Sequence, residues 1–337
     1  MRDVADRLGI SLATVSRALR RVPGINAETR ARVLQTAAEL GYSLPRSYRQ
    51  NALGGETLHN VGVFIETPRG VAPPLYLAGM SDAAVSLNAS LSIHYLKPGD
   101  CEKILDPKFQ PPAMRAGLLS GIVLVFWWPV EVVKRLSERM PVVSVMHKYP
   151  GVDMDVVGLD NLGGMELLMH HLYERGHRKI GFFGRCGQIP WANERFGGYV
   201  AGLTGLGLEY RSGCVVDGRF EDMSDYHAAW TEAVAAAERL VHEHRVTAFA
   251  CASETAGWRL CRHFEERGIR VPQDVAITGF HRALFSSPDQ PDLTTVVASY
   301  EAIGAAALRR LLFRIQNPAE TSRAILFPCS LHRGATT

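Results

Sequence analysis

Arg17 and Arg20, with Leu12, Ala13 and Ser16 beside them, fall in a nine-residue stretch whose apolar members Val15, Ala18 and Leu19 recur at helical spacing. If those three face inward, the other five point outward. An arginine fork matches the O6 and N7 acceptors of guanine, and small apolar side chains pack on thymine methyls. The chemistry available is therefore recognition of duplex DNA in the major groove. Other candidates fail on spacing. The pairs His170-His171 and His242-Glu243-His244 diverge on a helix and cannot converge on one metal ion. Gly184-Arg185-Cys186-Gly187 lacks both the GK[ST] ending and the GxGxxG spacing of a phosphate loop. No Ser-His-Asp or Cys-His arrangement has a supporting motif. Neither catalysis, a cofactor nor a metal is expected.

Three short helices must carry the outward face. Val4, Ala5 and Leu8 mark the first, ended by Gly9; Ser11 can cap the second by accepting from the amide of Ala13 or Thr14. A third starts after Asn26, turns Val33, Leu34, Ala37 and Leu40 inward, and stops at Gly41. Two helices across a tight glycine turn, the second with a basic face, suit the major groove. Charge agrees. Residues 1–50 hold nine arginines against four acids, on a chain of net charge +3, so the other 287 residues are slightly acidic. The 337 residues are 47% hydrophobic and 21% charged, an ordinary globular composition. The longest apolar stretch, 121–133, is shorter than the roughly 20 residues of a membrane span. An acidic opening excludes a secretory signal, and six scattered cysteines without a CxxC pair suggest neither disulfides nor zinc. A reduced, cytoplasmic protein with no membrane partner is expected.

Asp3-Val4-Ala5, the unbroken run from Gly9 to Leu19, Glu28-Thr29-Arg30-Ala31-Arg32-Val33 and Glu39-Leu40-Gly41-Tyr42 together resemble the head of the LacI/GalR family of bacterial transcription regulators. The resemblance implies that Leu12 and Ala13 read bases and that Arg17 reaches a guanine edge. It places Thr14, Ser16 and Tyr42 on phosphates. Arg20 stands where the family commonly has asparagine, so its partner, phosphate or base, stays open. After Pro45, the run Arg46 to Leu53 closed by Gly54-Gly55 matches the family hinge, a helix on operator DNA whose leucine, here Leu53, wedges into the minor groove. The stretch from Tyr42 to Leu53 is about two residues longer than the family pattern. The expected organisation is a head over 1–44, a hinge over 45–58 and an effector-binding and dimerisation domain over 59–337.

In that last domain, strand patterns at 61–66, 91–96, 121–127, 141–146, 179–184, 214–218, 248–252 and 274–280 alternate with helical ones at 161–175, 193–206, 225–244 and 254–267. This is an α/β pattern of parallel sheets covered on both faces, too long for a single sheet. Two doubly wound lobes are expected, one of 59–160 and 282–297, the other of 161–281 and 298–337. The runs 157–164, 172–182, 271–280 and 293–296 resemble the family's body, a periplasmic-binding-protein type 1-like architecture with its ligand between the lobes. By that resemblance Arg195 grips an effector and Phe220 packs on its ring. Ser253-Glu254 and His281-Arg282 replace polar and acidic anchors that the family usually shows. Trp127-Trp128 at a strand end, and Trp191 four residues before Arg195, offer indole faces for a sugar. A saccharide is the first choice of effector, with Ser253 among the candidate effector residues; through the basic His281-Arg282 pair, an acidic group such as a uronate or sugar phosphate is the alternative. The whole implies a homodimeric repressor on operator DNA, since the C-terminus has no leucine heptad for higher assembly. The competing class is a solute-binding module without a role in gene control.

Overall fold

The computed structural model describes residues 2–19, 25–40, 58–66, 74–97, 99–187, 189–218, 226–280 and 290–337. Arg20, Tyr42, Leu53, Phe220 and His281, named above, lie outside them, as does nearly all of the hinge.

In the head, α1 (Arg2–Leu8), α2 (Leu12–Leu19) and α3 (Ala27–Glu39) enclose a dry core of Val4, Val15, Ala18, Val33 and Ala37. Gly9 turns the chain with φ +65°, letting the Ile10 amide donate back to the Ala5 carbonyl. Ser11 Oγ accepts from the Thr14 amide at 3.0 Å and Asn26 Oδ1 from the Thr29 amide at 2.7 Å, so both following helices begin on side-chain caps.

The body opens with β1 (His59–Glu66), α4 (Pro74–Ser86), β2 (Ala89–Leu96), α5 (Pro112–Arg115), β3 (Gly121–Val125), α6 (Val130–Ser137), β4 (Val142–Val145) and β5 (Asp155–Leu159). It continues through α7 (Asn161–Glu174), β6 (Ile180–Arg185), α8 (Pro190–Gly205), β7 (Val215–Asp217), α9 (Tyr226–His244), β8 (Ala248–Cys251), α10 (Glu254–Glu266) and β9 (Ala276–Thr278). It closes with β10 (Thr295–Val297), α11 (Tyr300–Gln316), β11 (Ala324–Phe327) and β12 (Ser330–His332). One parallel sheet runs β2-β1-β3-β4-β5-β11 and a second runs β7-β6-β8-β9. Central strands such as β3 are buried at every residue, because helices cover both faces.

The closing segments depart from the expected lobes, except for residues 330–337, which stay with the second. β11 pairs with β5 and α11 packs on the first sheet, so residues 300–327 belong to the first lobe rather than the second. Thr294 bridges to Thr278, and β10 pairs antiparallel with β12. The Thr336 hydroxyl, for its part, donates to the Ile277 carbonyl. Residues 290–297 and 330–337 therefore sit on the second sheet. The physical reason is that a short buried apolar strand completes any parallel sheet equally well, so hydrophobicity does not say which one it joins.

Two contacts hold α11 in place. Gly79 on α4 and Gly304 on α11 leave no room for a Cβ, which would strike the Glu301 and Tyr76 carbonyls, so the two helices meet backbone to backbone. At the start of β5, the fully buried Asp155 accepts from Arg310 Nε at 2.8 Å and from the Arg323 amide at 2.7 Å, with Arg314 Nε at 3.5 Å.

Candidate functional site

The outward face of α2 is as the periodicity requires. Val15 and Ala18 are buried; Ala13 and Arg17 are exposed; Ser16 is half-buried. Leu12 keeps 45% of its surface in water. The Thr14 hydroxyl lies 2.8 Å from Ser11 Oγ, so it is part of the cap and presents only its free lone pairs or proton outward. A rigid, capped helix thus displays an apolar pair beside an arginine, a surface complementary to a methyl group next to a guanine edge.

The second site lies at the carboxyl ends of the strands, where open parallel sheets receive ligands. Arg195, on α8, is only 4% exposed. Its Nε donates to Asn161 Oδ1 at 2.9 Å and its Nη1 to the Ala252 carbonyl at 2.8 Å. Its guanidinium carbon stands 4.4 Å from the Trp191 ring centre and 3.9 Å from that of Phe280. Asn161, just past β5, passes the interaction on by donating to Glu194 Oε2 at 2.7 Å. Burial pulls the arginine pKa down to about 10. Ser253, next to Ala252, accepts from the Ala256 amide and caps α10, which leaves its hydroxyl proton for another acceptor.

From the first lobe come two groups that no sequence motif announces. His147, just beyond β4, and Tyr76, in the first turn of α4, are both buried, and among the described residues neither His147 Nδ1 nor Tyr76 Oη has a hydrogen-bond partner. Met146 and Phe126, at the ends of β4 and β3, adopt φ +79° and +67°, a costly conformation for side chains of this size. Both strand ends on the cleft side are therefore bent sharply.

The structure brings Trp191, Arg195 and Ser253 together. Trp127 is 43% exposed at the end of β3. Trp128 is a correction: its side chain is fully buried in the first lobe's core, and its indole N–H donates to the Val125 carbonyl at 3.2 Å. Two adjacent residues leaving a strand cannot both face the cleft, and Trp128 is the one that turns inward. Asn161 and Phe280 appeared in recognisable runs but not as site residues; Tyr76 and His147 gave no signal at all.

Burial, helped by the positive charge of Arg195, lowers the His147 pKa to about 4. The folded value lies below the unfolded one of 6.5, so the unfolded chain takes up the proton first. This stability is fully present above pH 6.5 and is lost as pH falls towards 4, about 3 kcal/mol in all. The melting temperature should fall over that window, and His147→Phe should flatten the fall; an unchanged slope would assign it to other histidines.

A family model described as "Bacterial regulatory proteins, lacI family" matches residues 1–44, and one described as "Periplasmic binding protein-like domain" matches residues 169–337. The HTH-type transcriptional repressor CytR of Escherichia coli (strain K12) is 28% identical over 346 residues, covering 100% of this chain and 96% of the relative. In fold, the chain is similar to the lac repressor dimer bound to operator and the anti-inducer ONPF, with TM-score 0.68, 23% identity, and 99% and 98% of the two chains covered. It is likewise similar to the complex of the transcriptional regulator CelR with cellobiose, with TM-score 0.67, 22% identity and the same coverage.

Proposed function

Because this chain belongs to the LacI family of bacterial regulatory proteins, with the family's DNA-binding head and a periplasmic-binding-protein-like domain, we propose that it is a homodimeric repressor. It binds a near-palindromic operator and is controlled by a small molecule, in the first instance a saccharide, held between the lobes. It acts by binding, not by catalysis. Among the described residues, no helix is long and apolar enough to cross a membrane.

The observation that carries this reading is the outer face of α2. Leu12, Ala13 and Arg17 are held outward on a helix whose inner side is dry and whose start is capped. Leu12 and Ala13 supply apolar contact to thymine methyls, Arg17 the bidentate contact to guanine, and Ser16 a phosphate contact that sets register. In our reading the second copy pairs at β2, the outermost strand of the first sheet among the described residues. There Val85 is 87% exposed, and Ile93 and Tyr95 on the edge strand β2 are exposed beside it. Pairing two such edges covers apolar surface that a monomer leaves in water. A ligand gripping Arg195 in one lobe and strand ends in the other changes how the lobes sit, and hence how two heads meet two half-sites. By linkage, operator must then change effector affinity by the same factor.

Arg17→Ala should weaken operator binding and relax preference at one base position by about 1–3 kcal/mol. Competition binding against operators altered one position at a time measures this. Unchanged specificity would mean that α2 has been given the wrong task.

A further inference from the structure

Arg195 is a cation almost wholly removed from water, and both of its hydrogen-bond partners are neutral, an amide oxygen and a backbone carbonyl. The Glu194 carboxylate hydrogen-bonds to Asn161 rather than to Arg195 and acts on the arginine at longer range. Among the described residues, then, the charge has no direct counter-ion. Aromatic stacking compensates in part, yet a desolvated charge without its opposite is one of the costlier arrangements in a protein.

The stacking also restricts what can approach. Trp191 and Phe280 cover the guanidinium faces, so a ligand meets Arg195 only at its edge. A guanidinium has five N–H donors, of which two are used here. Edge-on, such a fork pairs best with the two oxygens of a carboxylate or phosphate. A neutral ring stacked face-on finds no open face.

Two desolvated groups of the first lobe are close enough to feel the same charge. Arg195 acts electrostatically on both His147 and Tyr76. Among the described residues their Nδ1 and Oη atoms are buried without partners, and such atoms in native proteins ordinarily have one. His147, neutral in the folded chain, can donate one N–H, and Tyr76 can donate its hydroxyl proton. An acceptor-rich group between the lobes would satisfy the arginine, the imidazole and the phenol at once.

We propose that the small molecule taken by this cleft carries an anionic oxygen group, a carboxylate or a phosphate, paired edge-on with Arg195 and closed over by His147 and Tyr76. This rests on the cleft being the effector site, and it makes the effector an acidic compound rather than a plain saccharide.

The test is thermal melting of the full chain with inorganic phosphate in one arm and acetate in the other, each against sodium chloride at equal ionic strength. The expected result is a saturable rise above the chloride control in at least one arm, the arm identifying the group. Arg195→Gln should lose that excess while the head, with its own phosphate contacts, stays intact. Tyr76→Phe deletes one oxygen from an otherwise unchanged core and should raise the half-saturating concentration about fivefold, so the test does not depend on the arginine variant folding. No excess in either arm, or the same excess in Arg195→Gln, overturns the proposal. A neutral saccharide that raises the melting temperature through Arg195 while neither anion does overturns it too, and leaves the effector site standing.

Discussion

Replacing Arg195 by alanine is expected to weaken effector binding by about two to four orders of magnitude while operator affinity stays close to that of the unaltered chain. The figure follows from two charge-assisted hydrogen bonds to the ligand at about 1.5–3 kcal/mol each. Operator affinity should be spared because the arginine lies on α8, in the second lobe, and contributes nothing to the core of the head. Loss of the side chain also frees Trp191 and Phe280 from their stack and strands the Asn161 amide oxygen and the Ala252 carbonyl. Against that stands relief of a buried charge, so the fold should survive. Operator titrations with and without effector, beside calorimetry of effector binding, read both quantities. If operator binding fell together with effector binding, Arg195 would be a strut between α7, α8 and the end of β8 rather than a ligand group.

Asp155→Asn should destabilise the body by about 3–5 kcal/mol, the usual consequence of removing one partner from a buried ion pair. Asp155 is fully buried, Arg310 nearly so, and the carboxylate also takes the Arg323 amide. Without the negative charge, Arg310 and Arg314 face each other's field with nothing to offset it. The three elements affected, β5, α11 and β11, are those that return the chain to the first lobe, so the loss falls on tertiary structure rather than on one helix. Denaturant unfolding of the variant measures it. The double change Asp155→Leu with Arg310→Met should recover only part of the loss, because apolar packing replaces the Arg310 pair while the Arg323 amide and Arg314 still lose the carboxylate. A single-variant effect below about 1 kcal/mol would mean that water already reaches the pair.

The head was legible from its residues because everything that shapes it is local. Ser11 caps a helix three residues on, Asn26 does the same, and Gly9 takes the left-handed turn that ends α1. The outward set Leu12, Ala13 and Arg17 follows once Val15 and Ala18 are turned in. In the body, the strands with long apolar runs were found, whereas β5, β10, β11 and β12 were not assigned. Asp155–Leu159 lies in a recognisable run but opens on a charged residue, and the last three are only three or four residues long.

Composition, periodicity and caps by themselves determined a basic three-helix head and an alternating α/β body, while it was the family resemblance that singled out Arg195. Tertiary structure alone decided which lobe received α11 and β11, that Trp128 packs inward while Trp127 stays exposed, and that Tyr76 and His147 come within the field of Arg195. The physical reason is distance along the chain. A cap or an amphipathic face is set by neighbours three or four residues away, and its energetics are visible in a short window of sequence. The cleft joins residues 76, 147, 195 and 280, and their proximity exists only after two sheets have ordered their strands. That ordering depends on which apolar strand packs beside which, and a buried strand carries no label beyond its hydrophobicity.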